Sequence, residues 1–198
     1  QKLAWLDSDG LEGAFVVTAN SSFGENRVFC DSLNYPVWND MYNAMGEAGI
    51  LSIAATANTN VNVDVSGDLP TSCSSPYLIT VTSSNKDDIK VFGAGYGAVS
   101  IDLAAPGHGI LSTNYHGTTS TKYGTSMSTP HVTGAVALMH AAASTELAQY
   151  YEDNPALGAG VFKTLLLTSV DTLASLDGIT VTGGRLNLHH AVLAASVW

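Results

Sequence analysis

A short turn that places a serine in front of an apolar run is the feature that most restricts the fold of this chain. Gly124, Thr125 and Ser126 precede a run from Val132 to Ala143 in which almost every residue is apolar or small. Because this run is apolar on every side, it predicts a helix buried inside a layered domain. The hydroxyl of Ser126 would lie at the N-terminal end of this helix, among backbone N–H groups that lack intrahelical partners.

A serine in this position has two interpretations. It is most often an N-cap, but it also suits acyl transfer, because the free N–H groups can stabilise an oxyanion beside a nucleophile. The string from Gly124 to Val132, Gly-Thr-Ser-Met-Ser-Thr-Pro-His-Val, closely resembles the nucleophile motif of subtilisin-like serine peptidases, the subtilase family. That family usually has Ala where this chain has Ser128, and Ser or Ala where it has Thr129.

The resemblance implies a fold and an activity. The fold is α/β, with three layers and a mostly parallel sheet that has helices on both faces. The activity is that of a serine endopeptidase, with Ser126 as nucleophile and Gly124 and Thr125 beside the substrate. The sequence shows no repeat and no linker, so we expect residues 1–198 to be the carboxyl-terminal portion of a single peptidase domain.

Apolar runs separated by turn residues predict the strands of this sheet. A helix from Pro36 to Glu47 connects the first two of them, with Val37, Met41 and Met45 expected on its core side. After the serine helix, we expect a polar loop from Thr145 to Gly160 and a helix within Val161–Val170. The resemblance implies a glycine-led turn at Gly183 into a terminal helix. The predicted strands are Gly13–Thr18, Ile50–Thr56, Tyr77–Thr82 and Gly109–Thr113, and the resemblance implies a further strand at Val99–Leu103.

The resemblance assigns further site residues to the ends of the first two strands. Ser22, Phe23 and Gly24 match the segment that lines the specificity pocket and pairs with substrate backbone. Asn58 matches the side chain that donates to the oxyanion, next to Ala57, where the family normally has Gly. An Asn at a strand end is otherwise a turn former, and Asn60 and Asn62 are alternatives for the same role.

Two cysteines, Cys30 and Cys73, have no Cys-x-x-Cys partner and do not match a metal site. They are either two free thiols or a disulfide, and the resemblance favours a disulfide because it places both loops beside the substrate pocket. Composition and the resemblance together suggest a secreted or extracellular enzyme. Asp64 and Asp68 are expected to be solvated; a structural calcium ion is the alternative, although their spacing matches no EF-hand loop. No other cofactor is expected.

Charge and hydropathy exclude two classes of partner. Seven basic and seventeen acidic residues give a formal net charge of −10, and no cluster of Lys and Arg suggests nucleic-acid binding. No apolar run approaches the roughly 20 residues that a membrane-spanning helix needs.

A nucleophilic serine requires a histidine base and an orienting carboxylate. None of the six histidines lies in the family's His motif, and Asp7-Ser-Asp-Gly10 resembles its Asp motif only superficially, because the next strand follows too closely. Both partners would then belong to an amino-terminal piece, as a separate chain or a missing segment, without which this chain would be inactive. Gln1, at the start of what resembles the end of a helix, favours that interpretation. The alternative is a non-catalytic peptide-binding or scaffolding module; another α/β hydrolase is excluded, because Gly-x-Ser-x-Gly is absent around Ser126.

Overall fold

The computed structural model describes residues 15–30 and 35–198. Its centre is a six-stranded sheet in which every neighbouring pair is parallel except the last. The apolar strands run through the middle of this sheet, as the sequence predicts for a parallel α/β fold. In spatial order the strands are β1 (Thr18–Ser21), β3 (Leu51–Ala55), β5 (Leu78–Ser84), β6 (Leu103–Pro106), β10 (Gly184–Arg185) and β9 (Asp171–Thr172).

Helices cover both faces of the sheet, which confirms the predicted three-layer α/β class. Side chains alternate along a strand, so Leu51 and Ile53 of β3 face one layer while Ser52 and Ala54 face the other. The first layer holds α3 (Thr125–Ala142), α4 (Thr145–Asp153), α5 (Pro155–Thr168) and α6 (Leu188–Ser196). On the opposite face α1 (Pro36–Glu47) contacts β3, and the short helix α2 (Val63–Ser66) follows that strand.

Two antiparallel ribbons lie outside the main sheet. In the first, β2 (Glu25–Asn26) pairs with β4 (Asp68–Leu69). In the second, β7 (His108–Thr113) pairs with β8 (Thr119–Tyr123) immediately before the serine turn. The first ribbon matters for function, because it brings a segment that follows β1 against a segment that follows β3.

The expected burial of two helices is wrong in part. On α1, Val37 is 67% and Met41 38% exposed, and the buried positions are Tyr42, Met45 and Gly46. The helix α3 is not buried on every side, since Val132, Val136 and Met139 face the sheet while Leu138 is 50% exposed. Each helix packs against one face of the sheet. The side chains that face the sheet are therefore buried, and the described residues leave those on the opposite side of the helix exposed.

The predicted strands occur with shifted bounds. The strand expected at Gly13–Thr18 begins at Thr18, and Gly13, like Gln1 and Asp7-Ser-Asp-Gly10, lies outside the described residues. The strand expected at Val99–Leu103 runs from Leu103 to Pro106, and β8 was not predicted at all. Its sequence Thr-Ser-Thr-Lys-Tyr is polar and mostly exposed, so it carries no apolar signal.

The polar loop expected at Thr145–Gly160 is wrong, because this segment forms α4 and the first half of α5. Ser144 caps α4 by accepting a hydrogen bond from the N–H of Leu147 at 3.1 Å. Leu147 and Tyr151, one turn apart, are both buried, and Pro155 begins α5. The helix expected within Val161–Val170 is part of α5, and the terminal helix is confirmed as α6.

Candidate active site at the start of the buried helix

Ser126 lies in the first turn of α3, immediately after a turn at Gly124. Gly124 has φ of +130°, a conformation that side chains rarely adopt, and a Cβ there would lie 3.0 Å from Asn58 Oδ1. The Ser126 hydroxyl is 3.4 Å from the carbonyl oxygen of Ser22, and the Ser22 hydroxyl donates to the carbonyl oxygen of Ser126 at 3.1 Å. This pair of contacts fixes the serine beside the segment that follows β1.

Asn58 lies directly beside this serine, at the end of β3. Its Oδ1 accepts a hydrogen bond from the backbone N–H of Thr125 at 3.0 Å, and Thr125 is anchored by its hydroxyl, which donates to Thr56 O at 2.6 Å. The amide oxygen therefore faces the protein, and Nδ2 has no hydrogen-bond partner among the described residues. A free amide donor next to a free helix N–H is the arrangement that an oxyanion requires.

A cavity of about 180 Å³ opens beside Ser126. Ser22, Phe23, Gly24, Ala57 and Asn58, which the sequence assigned to the site, all line it. Gly24 must lack a side chain, because a Cβ would overlap the carbonyl oxygen of Leu69.

Gly124 and Thr125, expected beside the substrate, do not line this cavity. Thr125 is fully buried and donates its backbone N–H to Asn58, and a Cβ on Gly124 would lie 3.0 Å from Asn58 Oδ1. In this structure they orient the amide and set the start of the helix, a role that the motif alone does not reveal.

The disulfide Cys30–Cys73 is present, with the two Cα atoms 4.8 Å apart. It joins the segment after β2 to the segment after β4, the two strands of the ribbon that forms one wall of the cavity. Its neighbours reinforce the connection, since the Cys30 N–H donates to the Ser72 hydroxyl at 3.0 Å.

The expectation that Asp64 and Asp68 are solvated is wrong for Asp68, whereas Asp64 is half-buried. Asp64 accepts hydrogen bonds from the backbone N–H groups of Val99 and Ser100. Asp68 is only 2% exposed and lines the cavity. Burial raises the pKa of Asp68 to about 6, although three hydrogen bonds to its carboxylate act in the opposite direction.

No pattern in the sequence assigns Asp68 to the site. The segment Gly67-Asp68-Leu69-Pro70 has the composition of a turn, and the carboxylate reaches the cavity only because β4 pairs with β2. Within the described residues, no group of three or more His, Cys, Asp or Glu side chains could hold a metal ion.

All six histidines are described, and none is hydrogen-bonded to Ser126. His131 Nδ1 lies 2.8 Å from Met127 O. His140 stacks on Phe162, and burial lowers its pKa to about 4, so it is neutral at pH 7. The other four contact neighbouring rings: His108, His116, His189 and His190.

Comparison with known sequences places this site in a family. The model of the subtilase family matches residues 7–183. The chain belongs to the subtilase family. Subtilisin-like protease 12 of Arthroderma gypseum is 33% identical over 144 residues, which cover 71% of this chain and 33% of that protein. Subtilisin-like protease 6 of Trichophyton schoenleinii is 41% identical over 96 residues, covering 48% of this chain and 22% of that protein.

Solved subtilase structures share the fold. The A-subunit of an AB5 toxin from E. coli superimposes with a TM-score of 0.72 at 25% identity, covering 91% of this chain and 60% of that one. The prenylagaramide maturation protease superimposes with a TM-score of 0.71 at 23% identity, covering 90% of this chain and 61% of that one. The subtilase chain described here thus spans about a fifth to a third of these curated relatives. It spans about three fifths of these solved structures.

No helix among the described residues of this subtilase is both long and apolar enough to cross a membrane.

Proposed function

We propose that this subtilase chain carries the nucleophile and oxyanion site of a serine endopeptidase. The observation that carries the proposal is the convergence of Ser126, Asn58 and the Ser22–Gly24 segment on one cavity. Ser126 Oγ attacks the peptide carbonyl carbon and transfers its proton to a base. Asn58 Nδ2 and the Ser126 N–H stabilise the oxyanion until the base returns the proton to the departing amine. Water then hydrolyses the acyl-enzyme ester. This chemistry requires no cofactor.

The substrate is a protein or peptide bound in extended form. The segment Ser22–Gly24 follows directly from β1 and lies against Ser126. A peptide beside this segment would extend the sheet by backbone hydrogen bonds, and its scissile carbonyl would lie over Asn58.

The proposal assigns the base and its orienting carboxylate to an amino-terminal piece, separate or contiguous. Its support is that each of the six histidines has another environment, and that the Ser126 hydroxyl contacts a backbone carbonyl instead of an imidazole. Triad members act as a unit, so the serine without its base retains little of the rate enhancement.

We place the protein outside the cell or in another oxidising compartment. The support for this is the disulfide, because such bonds persist where thiols are not kept reduced.

Labelling by a fluorophosphonate probe tests the nucleophile in the full-length protein that contains this sequence. We expect covalent labelling of Ser126, located by mass spectrometry of the digested protein, and loss of both label and peptidase activity in Ser126→Ala. Ser112→Ala, which removes an exposed hydroxyl from β7, is the matched control and should retain both. Persistent activity in Ser126→Ala would refute the assignment.

A second candidate function, peptide binding without hydrolysis, is favoured by the same absence of a histidine at Ser126 among the described residues. It predicts that peptides bind the full-length protein with measurable affinity but are not cleaved, and that the probe does not label Ser126.

A further inference from the structure

The cavity beside Ser126 contains one charged side chain among the described residues that line it, and this is Asp68. Asp68 is 98% buried by area, being 2% exposed. The cavity has a volume of about 180 Å³ and is therefore smaller than sites for drug-sized ligands, which measure roughly 300–1,000 Å³. A cavity of this size, open at the nucleophile, suits one substrate side chain.

The two oxygens of this carboxylate have different environments. Oδ2 accepts hydrogen bonds from the Thr71 hydroxyl at 2.6 Å, the Ala57 N–H at 3.0 Å and the Thr56 hydroxyl at 3.3 Å. Oδ1 has no hydrogen-bond partner among the described residues. It is also not completely buried, unlike the unpartnered oxygens of residues such as Ser128. Oδ1 therefore remains open to the cavity that Asp68 lines.

No cation within the described part of the chain neutralises Asp68. The ion pairs there involve Asp87, Asp88 and Asp171 instead. A buried carboxylate without a counter-ion is costly, and a cation from a ligand can form a charge-assisted hydrogen bond with its open oxygen. The three donors on Oδ2 keep the carboxylate in place while Oδ1 is free to accept.

The walls of the cavity suit a long side chain with a charged end. The apolar ring of Phe23 is 59% exposed at the cavity, beside lining residues whose exposed surface is mostly polar. Such a ring packs against the methylene stem of Lys or Arg while the charged group reaches a deeper carboxylate.

We propose that Asp68 is the specificity-determining residue of this site and selects substrates in which lysine or arginine supplies the scissile carbonyl. When the scissile carbonyl of the substrate lies at Ser126 and Asn58, the substrate side chain nearest the cavity belongs to the residue that supplies this carbonyl. Cleavage beside lysine or arginine rests on the proposed peptidase function. The preference for binding these side chains rests on the cavity alone.

The test measures kcat/KM for peptides that differ only in the residue joined to a fluorogenic amide. With the full-length protein we expect lysine and arginine peptides to exceed the glutamine peptide by about a hundredfold, a typical effect of a buried charge pair. Asp68→Asn keeps an oxygen for the three donors but removes the charge, and should abolish most of that ratio. Because both peptides are measured on one preparation, a partly unfolded sample does not change the ratio.

Asp102→Asn is the matched control. Asp102 is a second carboxylate whose pKa is raised by burial; it accepts hydrogen bonds from Thr80 and does not line the cavity. This variant should keep the wild-type ratio. A wild-type ratio near one, or an unchanged ratio in Asp68→Asn, would overturn the inference even if peptides are cleaved. If no peptide is cleaved, the proposed function fails. The preference is then tested separately by calorimetry, as the ratio of the binding affinities of the lysine and glutamine peptides.

Discussion

The orientation of one amide group determines what the proposed oxyanion site can do. Thr125 donates its backbone N–H to Asn58 Oδ1, and its own hydroxyl is bonded to Thr56. A side-chain amide that accepts on its oxygen presents its nitrogen elsewhere, here to the cavity that Asn58 lines. In the proposed mechanism, Thr125 would therefore orient the oxyanion donor without lining the cavity itself.

Asn58→Ala should lower kcat of the full-length enzyme by about a hundredfold to a thousandfold with little change in KM, a magnitude known for such a donor in subtilisin. The reason is that the donor acts on the oxyanion, which forms only in the transition state. Steady-state kinetics on a fluorogenic peptide measure the effect. Asn60→Ala is the control, because exposed Asn60 accepts a hydrogen bond from Lys90 and lies outside the cavity lining. A larger loss of kcat in Asn60→Ala would show that the wrong asparagine has been chosen.

The preference for basic peptides should depend on pH through Asp68. The pKa of this carboxyl is raised to about 6 by burial, so its charge is present above pH 6 and lost below it. Since no other titratable side chain among the described residues lines the cavity, the lysine-to-glutamine ratio of kcat/KM should be high at pH 8 and fall as the pH decreases through about 6.

The ratio isolates this effect, because the ionisation of the catalytic base affects both peptides equally and cancels. A series of kcat/KM measurements from pH 8 to pH 5 provides the test. In Asp68→Asn the ratio should be low and independent of pH; a pH-dependent ratio that survives in this variant would assign the titration to another group.

At the scale of elements, helix caps explain why the segment Thr145–Gly160 is helical and not the expected loop. Ser144 accepts from the Leu147 N–H, and Pro155 begins the next helix. Both signals are present in the sequence, but the polar surface residues between them obscured the two buried positions, Leu147 and Tyr151, which lie one turn apart.

Ser144→Ala should lower the free energy of unfolding by about 1 kcal/mol, the usual cost of losing an N-cap. Equilibrium urea unfolding of the full-length protein measures it. Thr145→Ala, at the next and exposed position, removes a hydroxyl outside the cap and should change stability by much less. Equal effects of the two substitutions would show that Ser144 does not act as a cap.

The parts of the site that could be predicted from the sequence are those that depend on a single element and its neighbouring turn. Ser126 and Asn58 follow from a local motif and a strand end, so the sequence indicates both. The exposed side of α3 around Leu138 could not be predicted, because an apolar pattern does not specify which neighbours cover it. Asp68 could not be assigned either, since its burial depends on the pairing of β4 with β2, far apart in sequence.

At the scale of the whole molecule, the sheet and the disulfide hold the cavity from two directions. Parallel strands end at one edge of the sheet, where β1 and β3 deliver Ser22 and Asn58. The cavity wall formed by β2 and β4 is not part of this sheet. The segments that follow its two strands are cross-linked by Cys30–Cys73, which bridges residues 43 apart in sequence.

Replacing both cysteines by alanine should therefore have two effects. It should lower the free energy of unfolding by about 2–4 kcal/mol, because the cross-link restricts the unfolded chain. It should also raise KM for lysine peptides more than it lowers kcat, because the β2–β4 wall holds Asp68 whereas Ser126 and Asn58 belong to other elements. Urea unfolding and steady-state kinetics of the full-length protein measure the two effects.

A reducing agent provides the control for this pair. It should reproduce both effects in the wild type and change neither quantity in the double alanine variant. If stability falls while KM for lysine peptides stays constant, the disulfide stabilises the fold without shaping the cavity, and the pairing of β2 with β4 and the hydrogen bonds of Asp68 with Thr56 and Ala57 are sufficient to hold the wall.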